Sequence, residues 1–232
     1  MVKINRVYTG TGDDGTSAFV DGSRHSKSHD RFDIVGSCDE LNSVIGIVRT
    51  LCRKLPNHSD GGSSVSVKRI QSVSEKALGR IQSELFDLGA EMACELDKLP
   101  DYLNVISTKQ CDDLTEEMDA WLEHLEPLTS FIMPTGNGPE SYIHLARTIT
   151  RRLERNMVRL KDKHGNDVIR REAFVYINRL SDWLFVFSRW VTKNLGGDEE
   201  LWIPLAKRDE VGNVANLIRK INQNDGDFAE LN

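Results

Sequence analysis

The sequence predicts an all-α fold: a five-helix antiparallel bundle behind an irregular, Gly-rich N-terminal segment. Three observations carry that expectation. Apolar residues recur at helical spacing in five separate stretches after residue 36. Pro, Gly or polar clusters join those stretches by short or moderate connections, which suits antiparallel neighbours. The first 36 residues lack helical periodicity and are rich in Gly, Asp, Ser and Thr. One domain is expected, made of a loop segment 1–36, a bundle 37–195 and a tail 196–232.

Short strands are expected at Arg6–Thr9 and Ser17–Val20. Ser37 and Glu40 have the spacing of a capping box and would open the first helix. Leu41, Val44, Ile45, Val48, Leu51 and Cys52 form its stripe, and Pro56 ends it. Asn57–Ser66 is a Gly/Ser-rich linker. A second helix follows from about Val67 to Met92, striped by Ile70, Val73, Ala77, Leu78, Ile81, Leu85 and Leu88. Ser107 and Gln110 open a third, with Leu114, Met118, Trp121 and Leu122. Pro139 suits the first position of a fourth. That helix carries Ile143, Ala146, Thr150, Leu153, Met157 and Leu160. The fifth runs from about Val168 to Leu195, capped by Gly196-Gly197.

Composition excludes several classes. Of the 232 residues, 39% are hydrophobic and 28% charged, an ordinary globular balance. A net charge of -6 disfavours a general nucleic-acid or anionic-membrane binder. No apolar run approaches the roughly 18–20 residues of a membrane span. Cys38, Cys52, Cys94 and Cys111 are widely spaced, so neither structural zinc nor a disulfide framework is indicated. No chain residue is assigned as a metal ligand. The N-terminus lacks the marks of a signal or transit peptide. A cytoplasmic protein is expected, or a mitochondrial one if the source is eukaryotic and a leader has been removed.

Charge concentrates in the fourth helix. Between Arg147 and Lys163 stand seven cationic residues and two acidic ones, a local net of +5 in an acidic chain. Arg147, Arg151, Glu154 and Arg155 share one face bordering the apolar seam. Two readings stand here. One is a solvated stripe of weak helix ion pairs. The other is a polyphosphate clamp, because guanidinium groups bind phosphate oxygens bidentately and stay charged at low dielectric. Thr9-Gly10-Thr11-Gly12 allows backbone N–H groups close to an anion, yet a plain turn has the same composition. Lys27 adds a point charge or points to solvent. Asn178, Ser181 and Asp182 are polar residues inside an apolar helix. They serve either inter-helix hydrogen bonding or a ligand. Asp39 suits a first helical turn, or pairs with an arginine of the fourth helix in the same or a neighbouring chain. His144 faces roughly the side of Arg147 and Arg151 and reads as a core residue behind the site.

Four blocks occur in order: YTGTGDDGTSAF, RFDIVGSCDELNSVIG, SFIMPTGNG followed by HLARTITRRLER, and FVYINRLSDWLFVFSRW. Across residues 6–193 the chain resembles the trimeric helical-bundle ATP:cob(I)alamin adenosyltransferases. The resemblance implies a cobalamin adenosyltransferase-like bundle and a homotrimer with interfacial active sites. It implies transfer of the 5′-deoxyadenosyl group of ATP to the cobalt of cob(I)alamin, releasing triphosphate. Magnesium would accompany ATP and share the phosphate charge. A corrinoid reductase or an adenosylcobalamin-dependent mutase would be the exchange partner. Thr9, Gly10, Thr11, Gly12, Ser17, Ala18 and Lys27 match the family's N-terminal ATP positions. Arg151, Arg152, Leu153, Glu154 and Arg155 match its fourth-helix ATP segment, and Asn178 a nucleotide contact. Arg147 and Asp39 match a pair bridging subunits. Phe131 matches an aromatic residue that approaches the corrin and keeps the lower axial ligand away. Gly10 and Asp14 depart from the lysines usual there. Those losses keep open a second reading, a non-catalytic ATP-sensing or corrinoid-carrying bundle. A third is a helical module whose arginine face meets an acidic partner.

Overall fold

The structure is a computed structural model that describes residues 8–56, 63–136, 138–210 and 214–223. Two antiparallel strands, β1 (Thr16–Ala18) and β2 (Arg24–Ser26), lead into α1 (Asp30–Arg53) and α2 (Ser63–Met92). A loop then reaches α3 (Thr108–Leu122), followed by α4 (Pro139–His164) and α5 (Arg171–Asn194). A further helix, α6 (Val214–Gln223), lies in the tail. No helix among the described residues is long and apolar enough to cross a membrane.

The chain divides into two units. The first holds residues 1–127 and 134–199, and the second holds 128–133 and 200–232. Within the first, α2 packs on α1, α1 on α4, α4 on α5 and α5 on α3. Side-chain partners give the directions. Asn42 donates to the Gln82 carbonyl at 3.0 Å, while Arg49 meets Glu75, so α1 and α2 are antiparallel. Lys163 reaches Asp30 and Asn156 reaches Ser37, so α4 runs antiparallel to α1. The α3–α5 contacts advance together, Asp112 to Arg179 and then Glu117 to Trp183. Those two helices are parallel because an even number of reversals separates them.

The core is the sum of the predicted stripes. Ile34, Leu41 and Ile45 of α1, Leu78, Ile81 and Leu85 of α2, Leu153 and Met157 of α4, and Tyr176, Trp183 and Phe187 of α5 are fully buried. Trp121 of α3 packs on Trp183 at 5.0 Å and Phe187 at 5.2 Å between ring centroids. One polar network crosses this apolar layer. Tyr176 donates to Glu84 Oε2 at 2.7 Å, Arg80 bridges Glu84 and Glu117, and Trp183 Nε1 donates to Glu117 at 2.7 Å. Burial, then the Glu84 charge, holds the Tyr176 phenol protonated well above its ordinary range.

Several element limits differ from expectation. α1 begins at Asp30, so Ser37 is not its N-cap. His29 caps it, accepting the Arg31 N–H at 3.2 Å. Ser37 instead donates to the Asp33 carbonyl at 2.7 Å inside the helix. The physical reason lies in residues 30–36. Asp30 and Asp33 favour a helix N-terminus. Buried Arg31 donates to the carbonyls of Met92 and Val168, tying the first turn to two other segments. The strands fall at Thr16–Ala18 and Arg24–Ser26. Arg6 and Val7 lie outside the described residues, and Thr9 is not in a strand. Of the linker Asn57–Ser66, residues 57–62 lie outside the described set, and Ser63–Ser66 form the first turn of α2. Ser107 and Pro139 open α3 and α4 as read.

In the second unit, Ile132 bridges antiparallel to Leu201. The Met133 N–H donates to the Glu200 carbonyl and the Trp202 N–H to the Phe131 carbonyl, each at 2.7 Å.

Two stability outcomes follow. Tyr176→Phe strips a donor from a buried carboxylate and is expected to cost about 1–3 kcal/mol, read as a lower urea midpoint at unchanged slope. Glu75 is held down to about 2 by hydrogen bonds from Arg49 and then Arg53. Its folded value lies below its unfolded one, so its contribution is present above about pH 4.5 and disappears as pH falls toward about 2. Glu75→Gln is expected to flatten the pH dependence of the melting temperature across that window.

Candidate functional site

α4 and α5 pack antiparallel, and their register sets a row of polar side chains along the rim of the seam. Residues 147, 151 and 154 of α4 come opposite 185, 182 and 178 of α5. Asn178 Nδ2 donates to Glu154 Oε1 at 2.8 Å. This inter-helix bond commits one oxygen of Glu154, which joins no ion pair among the described residues. Burial is the main influence on the Asp182 carboxyl and raises it. Arg151 and Arg147 pull it down, and Glu154 pushes it further up. The Arg147 guanidinium Cζ lies 5.8 Å from the Phe185 ring centroid. Burial, then the Arg151 charge, lowers its affinity for a proton.

The remaining α4 positions divide between two sides. Arg151 and Arg155 are exposed, and Arg155 donates to the Arg151 carbonyl at 3.0 Å. Arg152 points toward α1 and forms an ion pair with Glu40. Leu153 is fully buried and anchors the segment to the core. Asp39, beside Glu40, is exposed and forms no ion pair among the described residues. Within the chain, the α1 carboxylate that pairs with Arg152 is therefore Glu40, not Asp39. His144 is buried next to Phe185, and burial lowers its readiness to protonate. Its Nδ1 and the Arg147 Nε are buried without a hydrogen-bond partner. Each is a polar atom left over in the apolar seam.

The N-terminal segment is a built loop. Thr9 and Thr11 hydroxyls meet at 2.9 Å, and Lys27 Nζ donates to the Gly12 carbonyl at 2.8 Å. A Cβ on Gly12 would lie 3.1 Å from that Nζ and 3.2 Å from the Thr16 carbonyl oxygen, so the approach favours glycine. Gly10 has φ +71°, the left-handed region. Ser17 pairs with His25 and Ala18 with Arg24 across the hairpin. Asp14 accepts from the Thr16 hydroxyl at 2.7 Å and the Thr16 N–H at 3.0 Å, which holds its carboxyl below the usual range. Arg24 lies 3.8 Å from Asp14 and donates to the Thr11 carbonyl and Thr16 hydroxyl. Asp14 is thus used internally, and the Arg24 charge is partly spent on it. Among the described residues no hydrogen bond or ion pair joins residues 9–18 to α4 or α5.

Phe131 lies in the second unit, 77% exposed, with its ring 6.1 Å from that of Trp202. Phe185 is not among the residues expected at the site. The signal for it was present, because Asn178, Asp182 and Phe185 stand at i, i+4 and i+7 on one face of α5. The four thiols are free and buried, with burial pushing Cys38 up to about 12 and Cys52 up to about 11. None of them is a nucleophile in this state.

A family model described as cobalamin adenosyltransferase matches residues 7–191. A cobalamin adenosyltransferase of Cupriavidus metallidurans is 35% identical over 204 residues, covering 86% of this chain and 95% of the relative. A corrinoid adenosyltransferase of Mycobacterium tuberculosis is 36% identical over 204 residues, covering 88% and 95%. Among solved structures, a variant PduO-type ATP:corrinoid adenosyltransferase from Lactobacillus reuteri, complexed with cobalamin and ATP, superposes with a TM-score of 0.73. It is 28% identical, and the match covers 86% of this chain and all of that one.

Proposed function

The chain belongs to the cobalamin adenosyltransferase family, and on that premise we propose that it transfers the 5′-deoxyadenosyl group of ATP to the cobalt of cob(I)alamin, giving adenosylcobalamin and triphosphate. The observation that carries this reading is the α4–α5 rim. It offers Arg147, Arg151 and Arg155 on one border, beside an Asn178–Glu154 latch that fixes the adjoining polar groups.

The reaction asks little covalent chemistry of the protein. Reduced cobalt is the nucleophile and the ribose C5′ the electrophile. The protein must hold them in line and stabilise charge on the leaving triphosphate. Arg151 and Arg155 supply permanent charges and forked donors for the phosphates. Arg152 joins them by exchanging Glu40 for phosphate. Asn178 and Glu154 orient the nucleotide, and Leu153 anchors the ridge. The loop of Thr9, Gly10, Thr11 and Gly12, with Ser17, Ala18 and Lys27, contributes backbone N–H groups and a further cation. Magnesium arrives with the nucleotide as part of the substrate. No chain residue is assigned to it.

The loop and the rim belong to one site when copies associate. In a homotrimer the loop of one copy meets the α4–α5 rim of the next, and Asp39 meets Arg147. That arrangement accounts for an exposed Asp39 and a guanidinium left with an unpartnered Nε. Phe131 is assigned the aromatic position that approaches the corrin and keeps the lower axial ligand away. A corrinoid reductase or an adenosylcobalamin-dependent mutase is the expected exchange partner, in the cytoplasm or in a mitochondrion.

A single-turnover assay with ATP and chemically reduced cobalamin tests the reading. Stoichiometric triphosphate supports it, whereas bound ATP without triphosphate supports the non-catalytic bundle. Arg151→Ala removes one charge-assisted phosphate contact, about 2–3 kcal/mol. It is expected to lower kcat/KM for ATP about 100-fold at an unchanged melting temperature. Phe131→Ala is expected to leave ATP affinity in place and slow adenosylcobalamin formation.

A further inference from the structure

Phe185 stands on the rim between the binding residues. It shares a face of α5 with Asn178 and Asp182. Its ring carries the Arg147 guanidinium, with Cζ 5.8 Å from the centroid, within the range of cation–π attraction. His144, nearly one turn earlier on α4, meets the same ring at 6.4 Å and an interplanar angle of 60°. The ring is therefore flanked by both. Arg147 Nε is buried with no hydrogen-bond partner, and among the described residues the guanidinium joins no ion pair. The negative ring face is thus a specific attraction on a half-buried cation that no carboxylate pairs among the described residues.

Resting on the adenosyltransferase reading, we propose that Phe185 is a positioning residue: its ring face holds the Arg147 guanidinium aimed into the site before substrate or a neighbouring copy arrives. An arginine left to rotate would have to be ordered during each turnover, at an entropic cost. Seated on the ring, its outer nitrogens are pre-aimed and uncommitted. Phe185 itself transfers nothing and binds no phosphate. It acts through Arg147.

The test replaces Phe185 with mono-, di- and trifluorophenylalanine, which drain the negative ring face at nearly constant shape. The expected result is a stepwise fall in kcat, about 10-fold by the trifluoro ring. KM for ATP stays within about 2-fold, and the melting temperature does not move. A flat kcat across the series overturns the proposal. Phe185→Leu is expected to lose the same factor and Phe185→Tyr to restore it. In an Arg147→Met background the leucine change should cost nothing further. A full additional loss there means that the ring acts through another group, and the proposal fails. The contact is also read without catalysis. The Arg147 Nε–H resonance should be ring-current shifted in the wild-type protein and return to an ordinary position in Phe185→Leu; no such change refutes the contact. A wild-type protein that makes no triphosphate yet shows the shifted resonance overturns the adenosyltransferase reading alone.

Discussion

The antiparallel register of α4 on α5 governs where charge sits in this molecule. Both helices bury a wide apolar stripe, Leu153 and Met157 on α4 and Ile177, Leu180 and Leu184 on α5. Burial of that stripe stabilises the pair, and it leaves no freedom to slide. Residues bordering the stripe are then carried to fixed opposite partners: 154 to 178, 151 to 182, 147 to 185. The polar rim is a by-product of the apolar seam. Its precision is inherited from core packing, not from its own weak surface attractions.

At the 147 end of this rim two side chains hold buried nitrogens without partners. Glu154 and Asn178 satisfy each other. Asp182 is raised by burial. Arg147 and His144 hold nitrogens that no hydrogen bond reaches. Unpartnered buried nitrogens are costly for a single chain, and they suit an anion or a neighbouring carboxylate that completes the pairing. An arginine tolerates this position better than a lysine, because its charge persists under desolvation and its flat face stacks on an aromatic ring.

Most of the helical architecture was legible in the sequence because burial leaves a periodic trace. The stripes of α2, α4 and α5 read directly, as did Pro139 at the start of α4. Termini were less legible. Ser37 and Glu40 have the spacing of a cap, yet the helix starts at Asp30, because Arg31 finds carbonyl partners only in the folded protein. The same holds for partners. Nothing in the sequence says that Arg152 takes Glu40 while Asp39 next to it stays exposed, since that choice depends on the relative rotation of two helices. The arginine ridge was visible as a charge run. Its ring support was not singled out, because an aromatic at helical spacing reads as core until a cation is seen above it.

The segment bearing Phe131 is fastened at its backbone to residues 200–202, far along the chain. A premature stop codon at any position from 196 to 200 would therefore leave Phe131 encoded and translated but without its anchoring residues. The genetic lesion would lie in the tail, and its biochemical signature would surface at an aromatic residue specified dozens of codons upstream.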